Sequence, residues 1–315
     1  MDDINPSVIP LLVVAGPTAS GKTSLSIELA RVVGGEIISA DSAQVFAGCD
    51  IGSAKVTVSD RKGVPHHLLD VVSPREPFSV ADFQRLAHNA IEDIWDRGRL
   101  PIVVGGTGLF IRALVRGYSF SPQSGRSSLR EQIAAMDTER LRDTLKVVDR
   151  ESYERIAPSD HRRLVRAVEV YVSTGKPLPR EAGVSRYQVS YWVITRPMTE
   201  LQQRINDRVQ LMLATGLVNE VRHLLQDGVL PIHQSLRAIG YREVVDWLFG
   251  RVTESERNYL IAKHTRQYAK RQLTWFRSEP QARWIDVSAW GQDRALNELV
   301  RSAQELVTDK RPGSQ

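Results

Sequence analysis

At 315 residues, with 42% hydrophobic and 25% charged side chains, the chain is long enough for one large or two modest domains of ordinary soluble composition. A single cysteine, Cys49, excludes an internal disulfide framework and a cysteine-rich zinc module, and no apolar run approaches the roughly 20 residues of a membrane span. The net charge of +5 leaves a polyanionic partner open.

In chain order, MDDINPSVIPLLVVAG has two acids ahead of a short apolar run, unlike the basic start of a signal peptide, so a cytoplasmic protein is expected. Leu11–Ala15 reads as a buried strand running into Gly16-Pro17-Thr18-Ala19-Ser20-Gly21-Lys22-Thr23. An amphipathic helix follows from about Thr23 to Val33, ended by Gly34-Gly35, and a strand from Glu36 to Ala40 delivers Asp41 at its carboxyl end. A helix over Val80–Arg97 leads to a strand over Leu100–Val104, which ends in Gly105-Gly106-Thr107-Gly108. Strand and helix alternating with glycine turns predict an α/β fold, a P-loop-type parallel sheet flanked by helices, with ligands beyond the carboxyl ends of the strands.

Near Tyr118 the pattern changes. Ser119–Arg126 is polar with Pro122 and Gly125, a linker pattern, and from Ser127 to about Thr174 the periodicity is helical and arginine-rich. Gly175-Lys176-Pro177-Leu178-Pro179 breaks it, and Tyr191–Thr195 reads as a return to the sheet. Helices are expected over Met198–Thr215, Leu217–Gln226 and Glu254–Arg277, and the tail after Lys310 is expected to be disordered. This organisation predicts a core of residues 1–118 and 187–315 interrupted by a helical insertion at 119–186.

GPTASGKT matches the G-x-x-x-x-G-K-[ST] phosphate loop in its required strand-to-helix setting. Glycines let backbone N–H groups face phosphate oxygens, the helix start contributes a positive dipole end, and Lys22 contributes a full charge. Thr23 offers a hydroxyl to a phosphate-bound Mg²⁺. The motif names phosphate binding without naming the compound. A nucleotide kinase stays open, although the strand that would carry a magnesium-binding acid ends in Gly-Gly-Thr-Gly.

Charge concentrates in two stretches. Arg155–Arg186 holds seven Lys/Arg against three Asp/Glu, and Arg237–Arg277 nine against four, which is +9 together and leaves about −4 for the remainder. Such a distribution suits a polyanion-binding face and is equally that of solvated helix surface.

The succession of Asp41-Ser42-Ala43-Gln44, Asp50-Ile51-Gly52-Ser53-Ala54-Lys55, His66-His67-Leu68-Leu69-Asp70 and Gly105-Gly106-Thr107-Gly108-Leu109 behind the phosphate loop is distinctive in its order. It continues with Arg204-Ile205-Asn206-Asp207-Arg208-Val209, Ala238-Ile239-Gly240-Tyr241 and Thr265-Arg266-Gln267-Tyr268-Ala269-Lys270-Arg271-Gln272. From about Leu11 to Arg277 the chain resembles the tRNA dimethylallyltransferase (tRNA isopentenyltransferase) family. The resemblance implies dimethylallyl diphosphate as donor, the N6 amine of a tRNA adenosine beside the anticodon as acceptor, Mg²⁺, and a phosphate loop holding the diphosphate leaving group. It also implies a channel entered by donor and adenosine from opposite ends, and an insertion that helps clasp the anticodon arm.

On that resemblance Asp41 is the general base and Thr107 a contact to base or donor. Arg208, i,i+4 from Arg204 on one helix face, is the arginine that reaches the diphosphate, although a surface ion pair with Asp207 or Glu220 is its plainer alternative. Expected tRNA contacts are Asp41, Ser42, Ala43, Gln44, Thr107, Arg130, the cluster Arg162, Arg163, Leu164, Val165 and Arg166, and Arg237, Ala238, Ile239, Gly240, Tyr241 and Arg242. Tyr241 either stacks on a base or packs, and Lys263, Arg266 and Lys270 fall on one helical stripe. Phe46, Phe78 and Phe110 stand where the family often has tyrosine. Ser53 and Val56 are mild departures, and Met198 replaces a common arginine for which Arg196 could compensate. His66 and His67, adjacent on a strand, cannot both point into one metal site, so packing is expected. The lone cysteine excludes the zinc finger of eukaryotic relatives, and a monomer with no membrane contact is expected.

Overall fold

Six parallel strands form one sheet in the order β3-β2-β4-β1-β5-β6 in the computed structural model, which describes residues 8–120, 128–178, 183 and 185–308. The strands are β1 (Ile9–Ala15), β2 (Glu36–Ala40), β3 (His66–His67), β4 (Pro101–Gly105), β5 (Tyr187–Thr195) and β6 (Arg283–Asp286). The described residues separate into two compact units at 115/116 and 184/185, the sheet lying in the first.

β1 is apolar along its length because both faces are covered, as expected for a central parallel strand. Alternation sends Leu11, Val13 and Ala15 into one core and Leu12 and Val14 into the other. The first core receives α2 (Val80–Asp96), α3 (Gly108–Val115), α8 (Met198–Ala214), α9 (Leu217–Gln226), α10 (Tyr241–Leu248) and α11 (Glu254–Arg277). On the opposite face α1 (Lys22–Val33) and α13 (Gln292–Thr308) supply the second. A capping box starts α2, where Ser79 accepts from the Asp82 N–H and Asp82 accepts from the Ser79 N–H; a second, between Thr253 and Glu256, starts α11.

The second unit holds α4 (Ser128–Ala134), α5 (Thr138–Val148), α6 (Arg150–Arg155) and α7 (His161–Thr174) around their own small core of Ile133, Leu141, Leu145, Ile156, Leu164, Val165 and Val168. At its base the Gly183 N–H donates to the Arg116 carbonyl at 3.1 Å. Most of the linker at Ser119–Arg126, together with Pro179 and the tail after Lys310, lies outside the described residues.

Three elements depart from the sequence expectation. β5 begins at Tyr187, where an end to the insertion and a strand from Tyr191 were expected. Gln188 and Ser190 interrupt the apolar run, yet Ile9–Leu12 of β1 supplies a partner for each added residue. Ser190 is tolerated inside because its hydroxyl joins Ser302, the Trp192 indole N–H and Arg283. β6 and the short α12 (Val287–Trp290) carried no periodic signal, and β6 exists by pairing with Trp192–Thr195.

The sheet also contains a buried charge. Glu36, 1% exposed, is held ionised by Arg97, which donates to both carboxylate oxygens, by His67 at 2.7 Å on one of them and by Arg99 at 3.5 Å from the other. Its pKa is lowered chiefly by the Arg97 hydrogen bonds, against the opposing effect of burial. His66 turns to the Val64 carbonyl at 2.8 Å, so the two histidines have separate partners.

Strand ends pack closely enough to demand glycine at one point. A Cβ on Gly105 would stand 2.2 Å from the Ala40 carbonyl oxygen on β2. Gly105→Ala should therefore lower the unfolding free energy by about 2 kcal/mol or more, measured by urea denaturation. A wild-type midpoint would show that the two strand ends are free to part.

Candidate active site

The phosphate loop leaves β1 and enters α1 through strained backbone. Ala19 has φ 66° and Gly21 φ 92°, both left-handed, and the alanine is held there by its surroundings. Three arginines brace the loop from outside. Arg196 Nε donates to the Ser20 carbonyl at 2.9 Å, Arg204 Nε to the Ala19 carbonyl at 2.8 Å, and Arg208 Nη1 to the Thr18 hydroxyl at 3.2 Å. With its carbonyl groups occupied by cations, the loop is electrostatically prepared for an anion. Arg208 is no surface ion pair. Glu220, its expected surface partner, is engaged with other groups.

Lys22 folds back, its Nζ 3.3 Å from the Pro17 carbonyl. Burial of the ammonium lowers its pKa to about 8; Asp41 opposes that shift and Arg208 adds to it. The Arg208 guanidinium is likewise made more acidic, by burial first and then by Arg204, with Asp41 again opposing. The carboxylate after β2 is therefore close enough to act on both cations of the cradle.

Asp41 sits in a turn that leaves one oxygen free. Oδ1 accepts the Ala43 N–H at 2.9 Å, and Oδ2 has no hydrogen-bond partner among the described residues. Thr107, after β4, fastens the same turn: its Oγ1 accepts the Ser42 N–H at 3.1 Å, and its own N–H donates to the Ala40 carbonyl at 3.1 Å. The Tyr268 hydroxyl on α11 has its pKa pushed up to about 12, by burial first and then by the Asp41 charge, with Thr107 and Gln272 acting to lower it. The sequence placed Tyr268 and Gln272 in a motif but assigned neither a role. Their i,i+4 spacing on a long helix was the only signal.

Gln44 is spoken for. Its side-chain N–H₂ group donates to the Ser53 and Ala54 carbonyls at 3.3 and 3.4 Å, and its carbonyl Oε1 accepts from Ser39, so it glues its loop internally. Glu220 holds the next stretch, accepting the N–H groups of Asp50, Ile51 and Gly52 at 3.1, 2.7 and 3.1 Å and the Tyr241 hydroxyl at 2.7 Å. Tyr241 has no exposed surface. Of its two expected roles it packs, because a hydroxyl paired with Glu220 can be buried without cost to stacking elsewhere.

The other expected contacts divide in the same way. Leu164 and Val165 belong to the core of the second unit, and their side chains are buried there. Glu169, 1% exposed, draws Arg166 to 3.0 Å and Arg130 to 3.9 Å, so both arginines serve a buried carboxylate. Arg163 pairs with Asp160 at 3.3 Å, whereas Arg162 is exposed and unpaired among the described residues. In the first unit buried Glu243 accepts the Gly240 N–H at 2.7 Å, Arg242 at 2.8 Å and His264 at 2.7 Å. Burial pushes its pKa up, and these hydrogen bonds outweigh that and hold it below the ordinary value. Arg237 is exposed, and Ala238 and Ile239 are half-buried beside it. Arg266 donates to Asn206 at 2.8 Å, Lys263 lies over the Tyr259 ring, and Lys270 is exposed. Phe78 and Phe110 pack edge to face, Phe83 stacks on Phe110, and Phe46 is buried, so these rings serve the core.

A parallel sheet with a lysine-bearing phosphate loop and a carboxylate at the neighbouring strand end defines a P-loop α/β enzyme acting on a phosphate compound. The IPP transferase family model matches residues 44–279. The tRNA dimethylallyltransferase of Geobacillus thermodenitrificans is 47% identical over 286 residues, covering 88% of this chain and 90% of that protein. Among solved structures, the full-length tRNA isopentenylpyrophosphate transferase of Bacillus halodurans is 38% identical, with TM-score 0.74 over 96% of this chain and 97% of that one. A eukaryotic dimethylallyltransferase captured acting on tRNA is 28% identical, with TM-score 0.84 over 98% of this chain and 81% of that one. The chain belongs to the tRNA dimethylallyltransferase family.

Lys22 gives the cradle a pH signature. Below about pH 8 the ammonium is charged and attracts an anion fully; as pH rises through that value the charge is lost and an arriving anion must restore it. Pyrophosphate affinity should fall above pH 8 with net proton uptake, read by calorimetry in buffers of different ionisation enthalpy. Lys22→Met should bind more weakly and lose that uptake; identical proton counts for both proteins would contradict the assignment.

Proposed function

We propose that the chain transfers the dimethylallyl group of dimethylallyl diphosphate to the N6 amine of the tRNA adenosine 3′-adjacent to the anticodon, releasing diphosphate. The observation that carries this reading is one carboxylate, Asp41, acting electrostatically on both Lys22 and Arg208 while its Oδ2 stays free. An adenine N6 amine needs such a carboxylate, because its lone pair is delocalised into the ring and it must shed a proton to become a stable secondary amine.

In the reaction the N6 lone pair attacks C1 of the dimethylallyl group as the C1–O bond breaks, and that bond's electron pair departs with the diphosphate. The N6 proton passes to Asp41 Oδ2. Lys22, Arg208 and the loop amides meet the charge building on the leaving group. Thr107 holds the Asp41 turn through Ser42, which fixes where the accepting oxygen stands.

Magnesium fits this site as a companion of the diphosphate. The Thr23 hydroxyl, in the first turn of α1, is exposed without a partner, and no group of three His, Cys, Asp or Glu able to hold a metal exists among the described residues. The ion would therefore be held by phosphate oxygens with Thr23, and would supply further neutralisation of the leaving group.

The anticodon arm is assigned to the basic faces. Arg162 and Arg163 on the second unit and Arg237 and Arg242 on the first would meet phosphates, and the backbone of Asp41–Gln44 and the Ala238–Gly240 turn would approach the extruded adenosine. No helix among the described residues is long and apolar enough to cross a membrane.

Incubation with Mg²⁺, labelled dimethylallyl diphosphate and bulk tRNA, followed by mass analysis of the nucleosides, tests the reaction. The expected product is N6-dimethylallyladenosine. ATP turnover without it would indicate a kinase, and salt-sensitive RNA binding with neither activity a binding protein. Asp41→Ala should cut kcat by about 10²–10⁴-fold while tRNA affinity stays within a few-fold; an active variant removes Asp41 from the role of base.

The arginines should separate by function. Arg162→Ala should lower the salt slope of tRNA binding by about 1 at an unchanged melting temperature. Arg166→Ala should lower the melting temperature as well, by exposing Glu169 to only the distant Arg130. Equal melting temperatures for the two would refute the ion-pair assignment.

A further inference from the structure

Gln272 is a group that the reaction as written does not use. It stands on α11, 5% exposed, and bridges two segments far from it in sequence. Its Oε1 accepts the Thr18 N–H at 2.9 Å and its Nε2 donates to the Gly106 carbonyl at 2.9 Å. A backbone N–H on one side and a carbonyl on the other admit the amide in one orientation only. Neither an ionised Glu nor a hydrocarbon of the same length satisfies both.

The two segments are the two halves of the site. Thr18 lies in the diphosphate cradle and receives Arg208 on its hydroxyl. Gly106 precedes Thr107, whose Oγ1 holds the turn of Asp41. The approach is so close that a Cβ on Gly106 would stand 2.2 Å from Gln272 Nε2. Through Gln272, α11 thus presents a strut along the edge where β1 and β4 end.

We infer that Gln272 is a positioning residue that sets the separation between the leaving-group cradle and the base-bearing turn. The inference rests on the proposed reaction and adds to it a residue that touches neither substrate. By taking up the Thr18 N–H it also decides which loop amides are left to face phosphate. Fixing Gly106 keeps Thr107, and through it Asp41, at one distance from the departing oxygen. A displacement of about 1 Å between reacting groups costs on the order of 10²-fold in rate, so the strut matters without touching the chemistry.

The test uses the full chain with Gln272→Ala and Gln272→Glu, reading melting temperature, pyrophosphate Kd, tRNA Kd, and kcat and KM for labelled transfer. Gln272→Ala should lower kcat by about 10²-fold and weaken pyrophosphate, with tRNA Kd within a few-fold of wild type. Gln272→Glu supplies a readout that loss of packing cannot mimic. Ionised, its carboxylate faces the Gly106 carbonyl and repels it; protonated, it donates there as the amide does. Its kcat relative to wild type should therefore rise as pH falls. A flat ratio across pH, or wild-type kcat and pyrophosphate Kd in the alanine variant, overturns the inference. Should the alanine variant fail to fold, the glutamate pH ratio decides alone. A wild-type protein that binds pyrophosphate but moves no label overturns the reaction instead, and the variant-to-wild-type ratio in pyrophosphate binding still decides the role of Gln272.

Discussion

The site depends on three parallel strands, β2, β4 and β1, ending level with one another. Ala40 of β2 lies opposite Gly105 of β4, Gly105 opposite Ala15 of β1, and Ala15 opposite Val193 of β5. The phosphate loop, Asp41 and Thr107 follow that row within two residues, β5 runs two residues further to Thr195 before Arg196, and backbone hydrogen bonding brings them to one edge. A slip of one residue in any strand would turn its side chains to the other face, and both faces are filled by tightly packed cores. Burial on both sides thus holds the chemical groups in place.

Charge at that edge is arranged by opposition. Three arginines take up loop carbonyls or a loop hydroxyl, and a lysine is crowded enough to lose much of its affinity for a proton. Such a cluster of cations is costly in the absence of an anion, because each is partly stripped of water and repels its neighbours. Asp41 offsets part of that cost. A bound polyanion such as a diphosphate would offset more.

Away from the sheet edge, buried carboxylates organise the basic faces. Glu169 anchors Arg166 and Arg130 in the helical unit, and Glu243 anchors Arg242, His264 and the Gly240 turn in the other. Several arginines that read as free positive charge are therefore structural cations with one edge of the guanidinium committed. Among the described residues Arg162 and Arg237 have no such partner, whereas the anchored guanidinium groups are fixed in direction.

Much was legible in the sequence because it depends on local rules. A strand-to-helix glycine loop with lysine needs particular backbone angles and a particular charge, so GPTASGKT announced the cradle, and strand ends followed by Asp41 and Gly-Gly-Thr-Gly announced its neighbours. Long helices with clear apolar spacing were found to within a residue or two at their ends. Only the tertiary structure could decide the partner of each polar side chain. It turned Gln44 and Tyr241 inward, drew Arg130 and Arg166 onto Glu169, created β6 from four residues without periodicity, and set Gln272 between two loops 254 and 166 residues away. Such pairings depend on which buried group lacks a partner when distant segments meet, and sequence spacing holds no record of that.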